Sequence, residues 1–184
     1  MTLSTIWSAA ISLSLLGALA VPDISDSQTT PSDVQEFYQR LAGEWEGTNA
    51  LWPHPSEAAI NSTSIASAKF IAGDIYFQLT YTWESDSGQE EGVFLFGGKG
   101  EKPTASWGDT WHMATELLNC VGALSVDGQK LILRSSYRTG SETPDYFWRT
   151  EFTLTGPDAF IMEAYNITPE GLEAPAVRAV YSRK

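Results

Sequence analysis

The chain has 184 residues, the length of one domain, and its 23 acidic residues against 11 Lys and Arg give a net charge of -12. An acidic chain without a run of Lys and Arg lacks the basic patch that nucleic-acid binding requires, so nucleic acid is excluded as a partner. Hydrophobic residues at 42% and aromatic residues at 12% provide enough apolar surface for a core and exclude an intrinsically disordered chain.

The N-terminal segment has the pattern of an export signal. Residues 6–21 form an apolar stretch without a charge, and this stretch contains Ala18-Leu19-Ala20, the small-x-small pattern that signal peptidase recognises. We therefore expect a signal peptide over residues 1–20, cleaved after Ala20, and a secreted or periplasmic protein without a membrane span after cleavage. The alternative is that the stretch remains uncleaved and anchors the protein in a membrane.

A flexible leader and a short helix follow. The polar stretch between Pro22 and Pro31 predicts a leader over residues 21–31, before a single domain over residues 32–184. Ser32 with Gln35 has the pattern of a capping box, which predicts a helix over residues 32–41. Its apolar face is formed by Val34, Phe37, Tyr38 and Leu41.

After this helix the apolar period changes to two, which predicts strands. In the clearest strand Ile75, Phe77, Leu79, Tyr81 and Trp83 alternate with polar or exposed positions. Similar alternation marks residues 131–138 and 146–155, and further strand candidates lie at 44–52, 61–71, 91–97, 103–109, 121–126, 159–167 and 175–183. About ten short strands joined by hairpin-length turns predict an all-β antiparallel meander. Closure into an up-and-down barrel would remove its edges, and a sandwich of the same strands is the alternative.

The start of the first strand is similar to that of calycins, the lipocalin-like β-barrels. The segment Leu41-Ala42-Gly43-Glu44-Trp45-Glu46-Gly47 carries the Gly-x-Trp arrangement after a short helix. The resemblance implies that Gly43 and Trp45 are structural and that the Trp45 indole plugs the closed barrel end. It also implies that an Arg of the last strand stacks on the indole, with Arg178 and Arg183 as candidates.

More specifically, the chain resembles an uncharacterised calycin-like family, the domain of unknown function 1579. The motifs that carry this resemblance are the Gly-x-Trp segment with Pro53 downstream, Gly92-Val93-Phe94, Trp107-Gly108-Asp109-Thr110-Trp111-His112-Met113 with Cys120 downstream, and Tyr165-Asn166-Ile167-Thr168-Pro169-Glu170-Gly171. The opening is also similar to that of the haem-binding nitrobindin barrels, which depend on an axial His late in the chain. Because no His follows His112, we predict no cofactor.

The third motif contains the candidate catalytic residues. His112 near pH 7 can act as a general acid or base, Asp109 can orient it, and Cys120 is a nearby thiol. In an extended strand Asp109 and His112 face opposite sides, so they meet only if the strand ends between them. The structural alternatives are that Asp109 caps a turn beginning at Thr110, that His112 is a hydrogen-bonded histidine at the barrel mouth, and that Cys120 is a small buried hydrophobe.

The sequence shows no residue pattern for a metal site or a disulfide. His54, His112, Cys120 and scattered carboxylates show no ligand spacing, so we predict no metal site, and a single cysteine excludes an intrachain disulfide. The carboxylates Glu84, Asp86, Glu90 and Glu91 are interpreted as a solvated hairpin face. Helix formers outnumber strand formers over residues 112–118, which would allow a short lid helix there.

Aromatic residues on predicted inward faces suggest a binding cavity. Such an interior suits a small apolar or amphipathic molecule, although the same side chains could simply fill the barrel. The predicted ligand-binding residues are Trp107, Trp111, His112, Tyr81, Trp83, Tyr137 and Trp148. The first hypothesis is an exported carrier that binds its ligand at an open end lined by Trp107, Trp111 and His112. The alternatives are an enzyme on the same barrel that uses His112, and a filled barrel that functions through its surface.

Overall fold

The structure, a computed structural model, describes residues 33–97, 102–112, 115–138, 140 and 142–184. The predicted signal peptide and leader lie outside these residues. Within the described ranges there is no helix with the length and apolar character that crossing a membrane requires. One helix and ten strands are present: α1 Val34–Leu41, β1 Gly43–Leu51, β2 Ile60–Ile71, β3 Tyr76–Ser85, β4 Gly88–Gly97, β5 Thr104–Asp109, β6 Leu118–Leu124, β7 Lys130–Tyr137, β8 Tyr146–Gly156, β9 Ala159–Ile167 and β10 Glu173–Arg183.

The ten strands form a closed barrel in which every strand is antiparallel to both of its neighbours. Each strand pairs with the next strand along the chain, and β1 pairs with β10, from Trp45 opposite Arg183 to Leu51 opposite Val177. The prediction of an all-β, up-and-down calycin-like barrel with a short N-terminal helix is therefore confirmed. A sandwich is excluded because the described sheet has no open edge between its first and last strands.

Helix α1 closes the barrel at the end where β1 begins. Its buried face consists of Val34, Phe37, Tyr38 and Leu41, as the sequence predicted. The Tyr38 ring stacks on Phe77 at a centroid distance of 4.9 Å, so the helix packs directly on the core. The predicted cap is wrong by one residue: the N-cap is Asp33, whose carboxylate accepts the Gln35 N–H at 2.9 Å. A carboxylate at this position also interacts favourably with the positive end of the helix dipole.

The closed end is secured by the fully buried indole of Trp45. Its Nε1 donates to the Leu41 carbonyl at 3.0 Å, and the Arg183 guanidinium lies over its ring, 4.2 Å from the centroid. Arg183 also donates to the Ala42 carbonyl at 2.8 Å and the Arg40 carbonyl at 3.0 Å. These bonds cap carbonyls at the end of α1 that the helix itself leaves free.

Of the two candidate arginines, the structure places only Arg183 on Trp45. Arg178 lies on the outer surface and pairs with Glu163 at 3.2 Å. Gly43 belongs to the same arrangement, because it has φ +144° and a Cβ there would lie 2.2 Å from Nη1 of Arg183. A side chain at this position would therefore displace the guanidinium.

Two local expectations differ from the structure. Ile75, expected in the clearest strand, is 62% exposed and precedes β3, which begins at Tyr76. The lid helix expected over residues 112–118 is absent from the part of this segment that the structure describes. Residues 110–112 form a turn, residues 115–117 are not helical, and Leu118 already pairs with Trp107 in the sheet.

We predict that Trp45→Ala lowers the free energy of unfolding by about 3 to 5 kcal/mol, because it removes a fully buried indole and leaves a cavity. Trp111→Ala is the matched control, since Trp111 is 37% exposed and should cost much less. Denaturant melts of both variants and of the wild type provide the comparison. Overlapping wild-type and Trp45→Ala curves would contradict the assigned burial.

Arg183→Met should cost about 2 kcal/mol, because it removes a cation–π contact and bonds to two carbonyls. Arg178→Met should cost between about 0 and 1 kcal/mol, as for an exposed ion pair. Chemical denaturation of the two single variants measures this difference. Equal losses would show that the guanidinium is not the element that secures the closed end.

Candidate functional site

A cavity of about 230 Å³ lies at the open end of the barrel, opposite α1. It forms where β5 and β7 end and where β6 and β10 begin, and the segment after β1 covers one side. Its lining is largely aromatic and apolar, with a few polar groups: Trp52, Pro53, Pro55, Trp107, Trp111, His112, Leu118, Tyr137, Trp148, Asn166, Ala174, Pro175 and Ala176. This composition is typical of a small-molecule site.

Larger grooves lie on the outer surface of the barrel, and two of them are wide. The first, of about 600 Å³, runs over the outward positions of β2, β3 and β4 beside Leu117. The second, of about 970 Å³, lies over β6 and β7 and is bordered by Val121 and Phe147. Both are wide and open, so a small molecule would keep much of its surface in water there. The mouth cavity is the better candidate because it is the more enclosed.

Asp109 and His112 meet at the edge of this cavity, which is lined by His112 but not by Asp109, because β5 ends at Asp109. The chain turns over residues 110–112, and the Asp109 Oδ2 atom lies 2.7 Å from Nδ1 of His112. The other oxygen, Oδ1, accepts the N–H groups of Trp111 at 3.2 Å and of His112 at 2.5 Å. The Asp109 side chain is 1% exposed, so these partners provide the hydrogen bonds that water cannot reach. The carboxylate therefore caps the turn and orients the imidazole at the same time.

The turn is fixed to β4 through Thr110 and Glu90. The Thr110 hydroxyl donates to Oε2 of Glu90 at 2.5 Å and accepts the Glu91 N–H at 3.0 Å. Ser85 donates to the other Glu90 oxygen at 2.8 Å. The interpretation of Glu90 as part of a solvated hairpin face is wrong, because Glu90 is only 8% exposed. The alternation along β4 could have predicted this burial, because Glu90 lies on the same strand face as the buried residues Gly92 and Phe94.

Three indoles surround the His112 ring. The centroid distances are 4.4 Å to Trp111, 5.3 Å to Trp148 and 5.8 Å to Trp107. Trp107 and Trp148 stack on each other at 5.0 Å and form one wall of the cavity. Trp111 was expected on an inward strand face but lies in the turn, 37% exposed at the rim, because the strand ends two residues earlier.

Tyr81 and Trp83 point inward but do not line the mouth cavity. The Tyr81 hydroxyl accepts the Trp107 Nε1–H at 2.9 Å, and its ring stacks on Trp83 at 5.3 Å. Burial, and then the nearby Asp109 carboxylate, raise the pKa of Tyr81, so its hydroxyl stays protonated at neutral pH. The ring lies over Gly92, where a Cβ would be 2.2 Å from Cζ of Tyr81. Both residues therefore belong to the buried core next to the cavity and not to its lining.

Tyr137, Trp148 and Asn166 complete the polar part of the lining. The Tyr137 hydroxyl donates to Oδ1 of Asn166 at 2.8 Å, and Nε1 of Trp148 donates to Thr150 at 3.0 Å. Tyr137 and Trp148 were expected in the site. Asn166, Trp52 and the prolines after it were missed. Asn166 lies on the same strand face as the buried residues Ala164 and Met162, so alternation could have predicted that it points inward. Trp52 follows the end of β1, where alternation no longer indicates the direction of a side chain.

Cys120 lies deeper in the wall and does not line the cavity. It is 3% exposed, and its thiol donates to the Leu118 carbonyl at 3.6 Å. Burial raises the pKa of Cys120 to about 11, so the thiol is neutral at physiological pH. The structure therefore brings together Asp109 and His112 but leaves Cys120 apart from them. Among the described residues no three His, Cys, Asp or Glu side chains are grouped so as to hold a metal ion.

Comparison with known proteins agrees with this architecture. Residues 30–183 match the model of a family described as protein of unknown function (DUF1579). The chain belongs to this family. The match includes α1, all ten strands and every residue of the mouth cavity. A search of curated proteins returns no match.

Solved structures share the fold of this DUF1579 member at low sequence identity. The S-type phycobiliprotein lyase CPES from Guillardia theta is 14% identical with a TM-score of 0.57, and the alignment covers 83% of this chain and 93% of that one. Rv2717c from M. tuberculosis is 13% identical with a TM-score of 0.57, covering 81% and 96% of the two chains. At these identities the likeness concerns the fold alone.

We predict that Cys120 reacts slowly with an aromatic disulfide reagent in the folded protein. A thiol with a pKa of about 11 has, at pH 8, on the order of a hundredfold less thiolate than an unperturbed cysteine, and burial restricts access further. The rate should rise with pH up to about 11 and should increase greatly on unfolding. Rapid labelling of the native protein at pH 8 would contradict the assigned burial and pKa.

Proposed function

We propose that this protein binds a small, planar, largely apolar molecule in the mouth cavity, with His112 as the polar anchor. The observation that supports the proposal is the His112 imidazole, which contacts three indoles while Asp109 fixes its Nδ1 atom. Aromatic walls favour a flat apolar ligand, and one oriented polar group gives it a single binding direction. The likeness in fold to a phycobiliprotein lyase is compatible with ligand binding in a barrel.

The hydrogen bond to Asp109 determines what His112 offers to a ligand. When Nδ1–H donates to the carboxylate, Nε2 of the neutral ring is an acceptor. Asn166 uses its Oδ1 atom for Tyr137, which leaves its amide N–H groups as donors at the same cavity. A ligand with a hydroxyl group satisfies both, because the hydroxyl donates to Nε2 and accepts from the amide.

The volume of the cavity limits the size of the ligand. A volume of about 230 Å³ lies below the range of about 300 to 1,000 Å³ that is typical of drug-sized ligands. We therefore infer a ligand of one or two aromatic rings with a hydroxyl group.

We further propose that residues 1–20 are removed after Ala20 on export and that residues 21–31 form a flexible leader.

A second candidate function is catalysis, which the Asp109 and His112 pair favours. A carboxylate that holds Nδ1 and leaves Nε2 facing a substrate is the arrangement of a general acid–base pair. Nε2 would accept a proton from the bound hydroxyl and return it in a later step. Cys120 has no part in this proposal, because its thiol is neutral and lies deeper in the wall.

His112→Leu should weaken binding of 2-naphthol about tenfold, because the variant removes the acceptor of one buried hydrogen bond. His54→Leu is the matched control, since His54 bonds to the exposed Ser56 and does not line the cavity. Fluorescence titration measures both variants. Equal affinities of the wild type and His112→Leu for 2-naphthol, or loss of binding in His54→Leu alone, would contradict the anchoring role.

Native mass spectrometry of the protein purified from its own host tests the proposal without a chosen probe. A stoichiometric aromatic molecule in the spectrum is the expected result, and the intact mass reports cleavage after Ala20. An empty protein that also fails to bind 2-naphthol would support a filled barrel that acts through its surface. Turnover of the identified molecule that His112→Leu abolishes without loss of binding would support the enzyme.

A further inference from the structure

Two buried N–H groups beneath the mouth have no acceptor in the protein. Nδ2 of Asn49 and Nε1 of Trp83 are buried without a hydrogen-bond partner among the described residues, and each residue is 3% exposed. By contrast, the indole N–H groups of Trp45, Trp107 and Trp148 all have acceptors within the protein. An unpaired donor in the interior costs free energy unless an acceptor reaches it.

Both groups belong to the same region of the barrel interior. Asn49 on β1 lies opposite Ser62 on β2 and Ala179 on β10. Trp83 lies on β3, the strand on the other side of β2. Small residues occupy other inward positions of β1 and β2 in this region, namely Gly47, Ser62 and Ser64. Hydroxyls on neighbouring inward positions have other partners: Ser62 accepts the Glu84 N–H at 3.2 Å, and Ser64 donates to the Thr82 carbonyl at 2.6 Å. The Ser64 Oγ also lies 2.7 Å from the Tyr181 hydroxyl.

Neither donor lines the mouth cavity, but each belongs to a residue that lies close, in packing or along the chain, to residues that do. Trp83 stacks on Tyr81, whose hydroxyl accepts the N–H of Trp107, and Trp107 lines the cavity. Asn49 lies on β1, three residues before Trp52, which also lines the cavity. A ligand whose inner end extends past Trp107 and Trp52 would therefore be directed toward the part of the interior that holds the two donors.

We propose that Asn49 and Trp83 form an inner subsite for a neutral carbonyl oxygen of the ligand, an inference that rests on the proposed function. Both groups donate, and a carbonyl oxygen accepts two hydrogen bonds without bringing a proton of its own. A carboxylate fits poorly, because the buried carboxylates of Glu90 and Asp109 lie at the same end of the barrel, and Glu90 pairs with Trp83 in the sheet. The ligand class is thus a small aromatic ketone, aldehyde or amide that also carries the hydroxyl group bound at His112.

Two probes of nearly equal shape test the subsite. 2-Acetylnaphthalene carries the carbonyl oxygen, and 2-isopropenylnaphthalene replaces this oxygen by a methylene group. The wild type should bind the ketone about 3- to 30-fold more tightly than the alkene, as expected for one or two net hydrogen bonds. 2-Naphthoate, which carries a charge, should bind more weakly than the ketone.

Trp83→Phe and Asn49→Leu each remove one donor, and each should reduce the preference for the ketone by about 3- to 10-fold. Because the preference is a ratio of two affinities within one variant, losses of packing or stability that affect both probes cancel. The matched controls are Trp45→Phe, at the closed end, and Asn61→Leu, which is exposed on β2. Both controls should keep the wild-type preference.

Calorimetric titration of both probes against these variants separates the outcomes. Equal binding of ketone and alkene by a wild type that binds 2-naphthol would overturn the inner subsite and leave the proposed function standing. A ketone preference that persists in both Trp83→Phe and Asn49→Leu would place the carbonyl elsewhere and also overturn the subsite. Failure of the wild type to bind 2-naphthol and both probes would overturn the two proposals together.

Discussion

The pairing of the first strand with the last determines the rest of this structure. Once β1 and β10 join, from Trp45 opposite Arg183 to Leu51 opposite Val177, the described sheet has no free edge and only its two ends remain to be closed. At one end the same pairing brings Arg183 onto Trp45 and allows it to cap the carbonyls at the end of α1. That end is therefore filled, and any ligand must use the other, where chain connections rather than a helix surround the opening.

At the open end, one carboxylate links the architecture to the candidate chemistry. Asp109 is the last residue of β5, and its two oxygens serve different partners. One oxygen holds the backbone of the turn, and the other holds Nδ1 of His112. The two bonds support each other, because the turn carries His112 back toward Asp109. The sequence left two roles open for Asp109: capping a turn or orienting His112. In the structure Asp109 does both at once.

The sequence could predict the barrel, because alternation with period two is local and survives in nearly every strand. It could also predict that Tyr81 and Trp83 lie on the inward face of β3. It could not predict whether these side chains line the mouth cavity, because their height along the barrel axis depends on the stagger between strands. The exposure of Trp111 depends on where β5 ends, which the Asp109 side chain determines through contacts that periodicity does not report. Glu90 was misjudged because a charged residue in a hairpin is usually solvated, whereas here Ser85 and Thr110 satisfy its carboxylate.

The two halves of the interior differ in chemistry, and this difference favours a ligand over a filled barrel. Near α1 most of the packing is between phenylalanine rings, such as Phe77 and Phe96, and the polar groups there are the Trp45 indole and the buried, unpartnered Tyr38 hydroxyl. Toward the mouth the side chains are tryptophans, a histidine and an asparagine, and the N–H groups of Asn49 and Trp83 lack protein acceptors. Leucine or phenylalanine would fill the same volume without the cost of desolvating these groups. Stability alone gives no reason for so many polar groups near the mouth, whereas the proposed binding of an oriented molecule accounts for them.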